Sequence, residues 1–494
     1  MKKIYFHNVM ALIFGATLTL AFAPFHIYVL AFISPALLFL LWLNANPKQA
    51  FWRGWFFGLG LFGSGIYWVY ISIHIYGNAS LFLALIITFL LVMFMALFFG
   101  VQGYLSKIIF PPSWQKNLTK QTLIFPFIWV IFEWLRSWVL TGFPWLFLGY
   151  SQLSTPLRWI APIFGVYGIS FAVAFTAAAI AATIFIIRKK QYPPIKYLLI
   201  IFAILFLIWL SSILLAHKNW VYPTNKKIKV TLIQGNIPQE LKWDPNQAPL
   251  ILTKYAALTE QHWDNNLIIW PEAAIPMFSW QAQEFINKIS QKAMKHKTTI
   301  ITGVPINKDN QYYNGIITLG GESSIYLKRH LVPFGEYPFL GTVTKFFMLF
   351  FHIPMSEFTA GKQKQPDFKI DDLIIAPTIC YEIAYPNEIL DFFPQAQLIL
   401  NVSDDSWFGK SIAAAQQLEI AQMRSLETGR YQLIAGNTGI TAIINSDGTI
   451  QKRIPQFEEN ILTGTVTAIN GNTPWVSIGK FLNKIYNTHQ KLDH

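Results

Sequence analysis

From residue 8 to residue 216 the chain is dominated by seven apolar runs, near 8–23, 26–43, 54–76, 81–104, 122–140, 161–187 and 195–216. Most reach the ~20 residues that a helix needs to cross a bilayer. They predict a polytopic transmembrane domain over residues 1–216. Charge follows the same division. Of the 38 Lys and Arg, 13 lie in residues 1–216 beside a single acid, Glu133, so twelve of the thirteen net positive charges belong to the apolar part. That is loop charge flanking membrane spans, and it argues against a basic cleft for nucleic acid.

The first run follows Lys2 and Lys3 and ends at Ala21-Phe22-Ala23, in the manner of a signal peptide. Pro24 would follow the cut, however, and further runs come directly after, so a retained helix, short or re-entrant in part, is expected. Lys48 and Arg53 lie between the second and third runs, and Lys107, Lys116 and Lys120 between the fourth and fifth. Arg188, Lys189, Lys190 and Lys196 lie between the sixth and seventh. The alternate loops hold almost none, Arg158 being the main exception. Seven spans with this alternation put the N-terminus in the cytoplasm and everything after His217 on the other side.

Gly58, Gly60 and Gly63 match a dinucleotide fingerprint, but they sit inside an apolar run with no strand before them. Close helix packing through small residues is the expected reading. Glu133 and Arg136 lie one helical turn apart within the fifth run, where intramembrane charge implies either function or a local ion pair.

From about Lys226 the pattern changes to short β-branched runs such as KIKVTLIQ, NLIIW, TTIITGVPI, DLIIAPTI and QLILNVS, each ending in a polar cluster. YYNGIITLG, SSIYL and YQLIAGNTGITAII read as hairpin-type strands, the last followed by a turn at Ser446-Asp447-Gly448. Residues 249–265 and 284–297 read as amphipathic helices. One α/β sandwich-like domain over 217–470 is expected, with a tail at 471–494.

The single cysteine, Cys380, excludes an internal disulfide and a thiolate-rich zinc site. Taken alone, it reads as a small hydrophobe at the end of a strand. Two other reactive residues also follow strands: Glu272 after LIIWP and Lys328 after SSIYL. Carboxyl ends of strands in α/β sheets are where catalytic groups project. A carboxylate that takes the thiol proton, and an ammonium that stabilises thiolate and oxyanion, would complete an acyl-transfer set. Each also has a plain reading, as a loop acid, a surface base and core filler. The sequence contains no G-x-S-x-G or H-E-x-x-H motif, and its histidines lack metal-ligand spacing.

The segments WPEAAIP, YLKRHLVPFGEYPF and PTICYEIAYP resemble the Glu-Lys-Cys signature of the nitrilase superfamily. Together with QGNIPQELKWD, NVSDDSWFG and TGFPWLFLGYSQ, they resemble the apolipoprotein N-acyltransferase family in particular. The resemblance implies a multi-span helical membrane domain and an α-β-β-α nitrilase-like domain on the periplasmic side of a bacterial inner membrane. It also implies a ping-pong reaction without cofactor or metal. Cys380 would take an acyl chain from a membrane phospholipid as a thioester, Lys328 would support the oxyanion, and Glu272 would act as general base. A diacylated apolipoprotein would accept the chain on its N-terminal amine. Trp243, Glu336, Tyr381 and Glu382 would shape the site, Glu336 and Glu382 reading equally well as structural carboxylates and the aromatics as packing.

Residues 339–355 are expected to form a lid dipping into lipid, with a core helix as the alternative. The end of the chain is too short and too polar to span, and reads as an interfacial segment where members of the family often carry a last membrane helix. Two other functions stay open: a membrane-tethered amidase acting on small carbon–nitrogen compounds, and a non-catalytic lipoprotein-binding factor.

Overall fold

The structure is a computed structural model that describes residues 2–115, 117–189, 195–338, 341 and 357–480. Residues 339–340, 342–356 and 481–494, which contain the expected lid and most of the expected tail, lie outside the described residues. The chain divides into two compact units, 1–70 with 81–218, and 71–80 with 219–494.

The first unit is helical, and each of the seven apolar runs contains helix. Among the described residues, Leu81–Leu105, Leu118–Arg136, Pro156–Lys189 and Ile195–Leu215 are long and apolar enough to cross a membrane, and the bent pair Pro47–Gly65 and Val69–Tyr76, whose residues from 71 on group with the second unit, makes a fifth if taken as one span. Lys2–Leu18 and Leu30–Leu43 are shorter, with 17 and 14 residues. At 1.5 Å per residue the latter covers about 21 Å, short of a ~30 Å hydrocarbon core. Two of the fingerprint glycines, Gly58 and Gly60, are packing residues, and Gly63 is exposed. A methyl group on Gly58 would lie 2.6 Å from the Ala96 Cα, and one on Gly60 would lie 2.0 Å from the Leu12 carbonyl oxygen.

Glu133 and Arg136 brace the segment that follows their helix. Trp129 Nε1 (3.0 Å) and the Leu148 N–H (2.8 Å) donate to Glu133, and Arg136 donates to the Trp145 carbonyl (3.1 Å). The Arg136 guanidinium also lies over the Phe147 ring.

The second unit is built on two six-stranded sheets, running β12-β1-β2-β3-β4-β5 and β11-β10-β9-β8-β7-β6. In the first, β1 is Val221–Gln234, β2 Leu267–Ile269, β3 Thr299–Lys308, β4 Gln311–Leu319 and β5 Ile325–Leu327. In the second, β6 is Phe368–Ile370, β7 Leu373–Ile379, β8 Leu398–Ser403, β9 Gln432–Gly436, β10 Thr441–Ile444 and β11 Ile450–Ile454. The last strand, β12 (Asn460–Gly471), returns to pair antiparallel with β1 and was not expected from sequence.

Strand alternation explains the layering, because successive side chains leave opposite faces of a sheet. Leu267, Ile269 and Ile301 join Ile375, Leu398 and Leu400 in a core between the sheets. Ile268, Trp270 and Ile300 point the other way, onto Ile251 and Tyr255 of helix Ala248–Thr259 and Ile286 and Ile289 of helix Gln283–His296. Helix Ala413–Thr428 lies against the second sheet, where Ser425 Oγ donates to Gln432 Oε1 of β9 (3.2 Å). The result is the α-β-β-α architecture expected from the resemblance.

Strand direction then decides which ends meet. β1, β2 and β3 are parallel, β4 is antiparallel to β3, and β5 antiparallel to β4. The carboxyl ends of β2 and β5 therefore share one edge with the amino-terminal half of β4. In the other sheet β7, β8 and β9 are parallel, so their carboxyl ends also share an edge.

Candidate active site

Glu272 follows β2 by three residues, and the next residue, Ala273, has φ of +46°. The turn presses so closely on β3 that a methyl group on Gly303 would lie 2.7 Å from the Glu272 Cα. Only glycine accommodates that approach. Asn314 Nδ2, from β4, donates to Glu272 Oε1 (2.7 Å), and the Asp404 N–H, just past β8, donates to Oε2 (2.9 Å).

Lys328, the first residue after β5, is 1% exposed. Its ammonium donates to Glu336 Oε1 (2.9 Å) and lies 3.7 Å from Glu272 Oε1. Glu336 is held in turn by Asn314 Nδ2 (3.1 Å) and by the Val332 N–H on Oε2 (2.8 Å). Asn314 and Lys328 thus tie the two carboxylates together.

Cys380 is buried at the end of β7 with φ of +54°, a conformation that costs a non-glycine residue energy and clusters at functional turns. Asn401 Nδ2, from β8, donates to its carbonyl oxygen (2.9 Å). The thiol lies in the field of Glu272, Lys328 and Asp405. The structure therefore brings the three expected strand-end residues into one electrostatic cluster.

Burial dominates the ionisation of this cluster. It pushes the Cys380 thiol well above its ordinary range, Glu272 adding to the rise and Lys328 opposing it. Glu272 is raised by burial, with Lys328 pulling it down and Glu336 and Asp404 pushing it up. Burial works against the Lys328 ammonium too, yet Glu336 and Glu272 outweigh it and hold that group above the usual lysine range. At rest the site thus holds a thiol beside a fixed cation, and a base must remove the thiol proton when it reacts.

Glu382 has a legible part. Its Oε1 accepts from the Arg329 (2.6 Å) and His330 (3.0 Å) N–H groups, immediately after Lys328. Its Oε2 accepts from the Ile379 N–H (2.8 Å), immediately before Cys380, and Tyr326 donates its hydroxyl to the same carboxylate. This buried carboxylate fastens the lysine turn to the cysteine turn. The Tyr381 hydroxyl meets that of Tyr385, whose ring stacks on His330 at 3.7 Å. Trp243, the residue after Lys242, has 48% of its surface exposed.

Three members of the cluster escaped the sequence reading: Asn314, Lys242 and Asp404. Asn314 is a lone polar residue inside an apolar hairpin strand. Lys242 and Asp404 lie within QGNIPQELKWD and NVSDDSWFG, segments already singled out for their resemblance. Among the described residues, no three His, Cys, Asp or Glu side chains are grouped to hold a metal ion.

Comparison with known proteins covers both units. Residues 14–179 match the apolipoprotein N-acyltransferase N-terminal domain, and residues 229–469 match the carbon-nitrogen hydrolase family. The chain is 45% identical to the apolipoprotein N-acyltransferase of Coxiella burnetii over 95% of both chains. It is 40% identical to that of Methylococcus capsulatus, over 95% of this chain and 92% of the relative. Among solved structures, a carbon-nitrogen hydrolase from Helicobacter pylori is similar at 13% identity and a TM-score of 0.37, over 53% of this chain and 94% of that one.

Proposed function

The chain belongs to the apolipoprotein N-acyltransferase family, and we propose that it moves a fatty acyl chain from a membrane phospholipid to a lipoprotein amine through a thioester on Cys380. The observation that carries the proposal is the ion-paired Glu272–Lys328–Glu336 group, two of whose charges act on the only thiol in the chain.

In the first half-reaction Glu272 accepts the thiol proton as Cys380 attacks the ester carbonyl. The negative charge that develops on the carbonyl oxygen is met by the Lys328 ammonium, which is held in place by Glu336 before the reaction begins. Collapse breaks the ester C–O bond, and Glu272 returns the proton to the departing lysophospholipid oxygen. In the second half-reaction the N-terminal α-amine of a diacylglyceryl-cysteine lipoprotein attacks the thioester. Glu272 takes a proton from that amine, the C–S bond breaks, and the thiolate is reprotonated.

The apolar helices give a chemical reason for the two-unit chain. An acyl chain is worth about 0.8 kcal/mol per buried CH₂, so neither substrate readily leaves the bilayer. The Lys and Arg alternation supports a cytoplasmic N-terminus and a catalytic unit on the periplasmic face of the inner membrane.

The test is acyl transfer by the full-length protein in phospholipid micelles to a synthetic diacylglyceryl-cysteine peptide. The proposal expects an amide-linked acyl chain on the peptide and lysophospholipid in equal amount. Free fatty acid with an unmodified peptide would mark a hydrolase, and no change in either would mark a binding factor.

A further inference from the structure

Lys242 and Asp404 carry no chemical step in the reaction above, yet they hold its base at two separate atoms. Lys242 ends the short helix Gln239–Lys242 and is buried. Its ammonium donates to the Glu272 carbonyl oxygen (2.9 Å) and pairs with the Asp404 carboxylate. Asp404 donates its own N–H to Glu272 Oε2. Its Oδ1 accepts from Ser406 Oγ (2.5 Å), the Ser406 N–H (3.4 Å) and Asn437 Nδ2 (3.1 Å). Glu272 is therefore gripped at its backbone by one partner of an ion pair and at its carboxylate by the other.

We propose that the buried Lys242–Asp404 pair is the positioning element of the general base, aiming the Glu272 carboxylate and setting the field in which it ionises. A buried ion pair gains little stability over apolar side chains of similar volume, so stability alone is a weak reason for one here. Its value lies in the closed ring of bonds and in the cancellation of charge. Glu272 is faced by Lys328 beyond β5, Glu336 in the next loop, Cys380 at the end of β7, and Asp404 and Asp405 beyond β8. Asp404 is faced in addition by Tyr255 and Tyr76. Lys242 is the cation paired with Asp404, so removing it exposes Glu272 to a bare carboxylate.

This inference rests on Glu272 acting as the base, and it is tested through the pH dependence of Cys380 acylation in the full-length protein with phospholipid. Lys242→Met should slow acylation and move the acid limb of the profile up by about one pH unit, the scale of one nearby charge in a partly buried site. Asp404→Asn should move it down. The double variant should return it close to the wild-type position, which a purely structural role would not do. Asp404→Asn keeps the shape of the site and decides the matter where Lys242→Met does not fold. Limbs that stay in place, or that move the same way in both single variants, overturn the proposal. Glu272→Gln separates the two readings: wild-type acylation by that variant removes Glu272 as the base. An inactive Glu272→Gln with unmoved limbs in the other variants removes only the positioning role.

Discussion

Both units bury apolar side chains, but they expose different things. In the helical unit Gly58 meets Ala96 and large side chains such as Trp129, Phe57 and Leu61 are buried, yet many others, Phe82, Ile195 and Phe202 among them, are left exposed. In the sheet unit Leu232, Ile269, Leu400 and Val402 are fully buried between the sheets, and its charged side chains lie outside except around the strand ends and helix Ala413–Thr428. The difference teaches that each part is built for its own solvent. Lipid rewards close backbone packing and outward apolar surface, whereas water rewards apolar burial. Buried charge in the sheet unit is mostly gathered where two sheet edges present Glu272, Lys328, Glu382 and Asp404.

Substitutions in the two units should fail differently, in chemistry in one and in packing in the other. Cys380→Ala should abolish thioester formation, and Lys328→Ala should slow acylation by roughly 10²–10³-fold, the usual loss for an oxyanion donor. The Cys380→Ala protein should unfold thermally as the wild type does. Gly58→Leu should do the reverse, lowering the yield of folded protein because a side chain there enters the backbone of residue 96. Normal yield with lost acylation in that variant would place chemistry in the wrong unit.

A smaller effect separates the two solvents. Leu400→Ala opens a cavity between the sheets and should cost about 2–5 kcal/mol in a denaturation experiment. Phe202→Ala, at a side chain 69% exposed, should cost about 0.5 kcal/mol or less. Equal losses would mean that the outward face of helix Ile195–Leu215 is packed rather than lipid-facing.

The smallest effect concerns Asp405, whose carboxyl is pushed up to about 7 by burial, against the pull of the Ser403 hydroxyl that donates to it (2.6 Å). Because the folded state holds this proton more tightly than the unfolded state, ionisation favours unfolding. Stability is retained below the ordinary aspartate range and falls as pH rises toward about 7. Asp405→Asn should remove that slope, so its advantage in thermal unfolding should grow from pH 5 to pH 8. A constant difference between the two proteins would show that Asp405 does not titrate in this window.

Much of this was legible because periodicity and strand ends are local. The runs LIIW, SSIYL and LIIAPTI announce strands, and Glu272, Lys328 and Cys380 stand where those strands stop. What stayed hidden depends on contacts between distant elements. Asn314 is an ordinary hairpin residue until β4 is laid between β3 and β5. Lys242 and Asp404 are 162 positions apart in sequence. Strand β12 was missed because Thr463, Thr465 and Thr467 dilute its apolar alternation. Trp243, the other motif residue of the QGNIPQELKWD segment, is half exposed, and its neighbour Lys242 makes the buried contacts.

The central claim is that Cys380 carries the acyl chain. The direct measurement is the intact mass of the full-length protein after exposure to phospholipid with no acceptor present. The account predicts one added fatty acyl group, located on Cys380, released by hydroxylamine and absent in Cys380→Ala. A thiol that stays unmodified while acyl transfer to an added lipoprotein proceeds would contradict it.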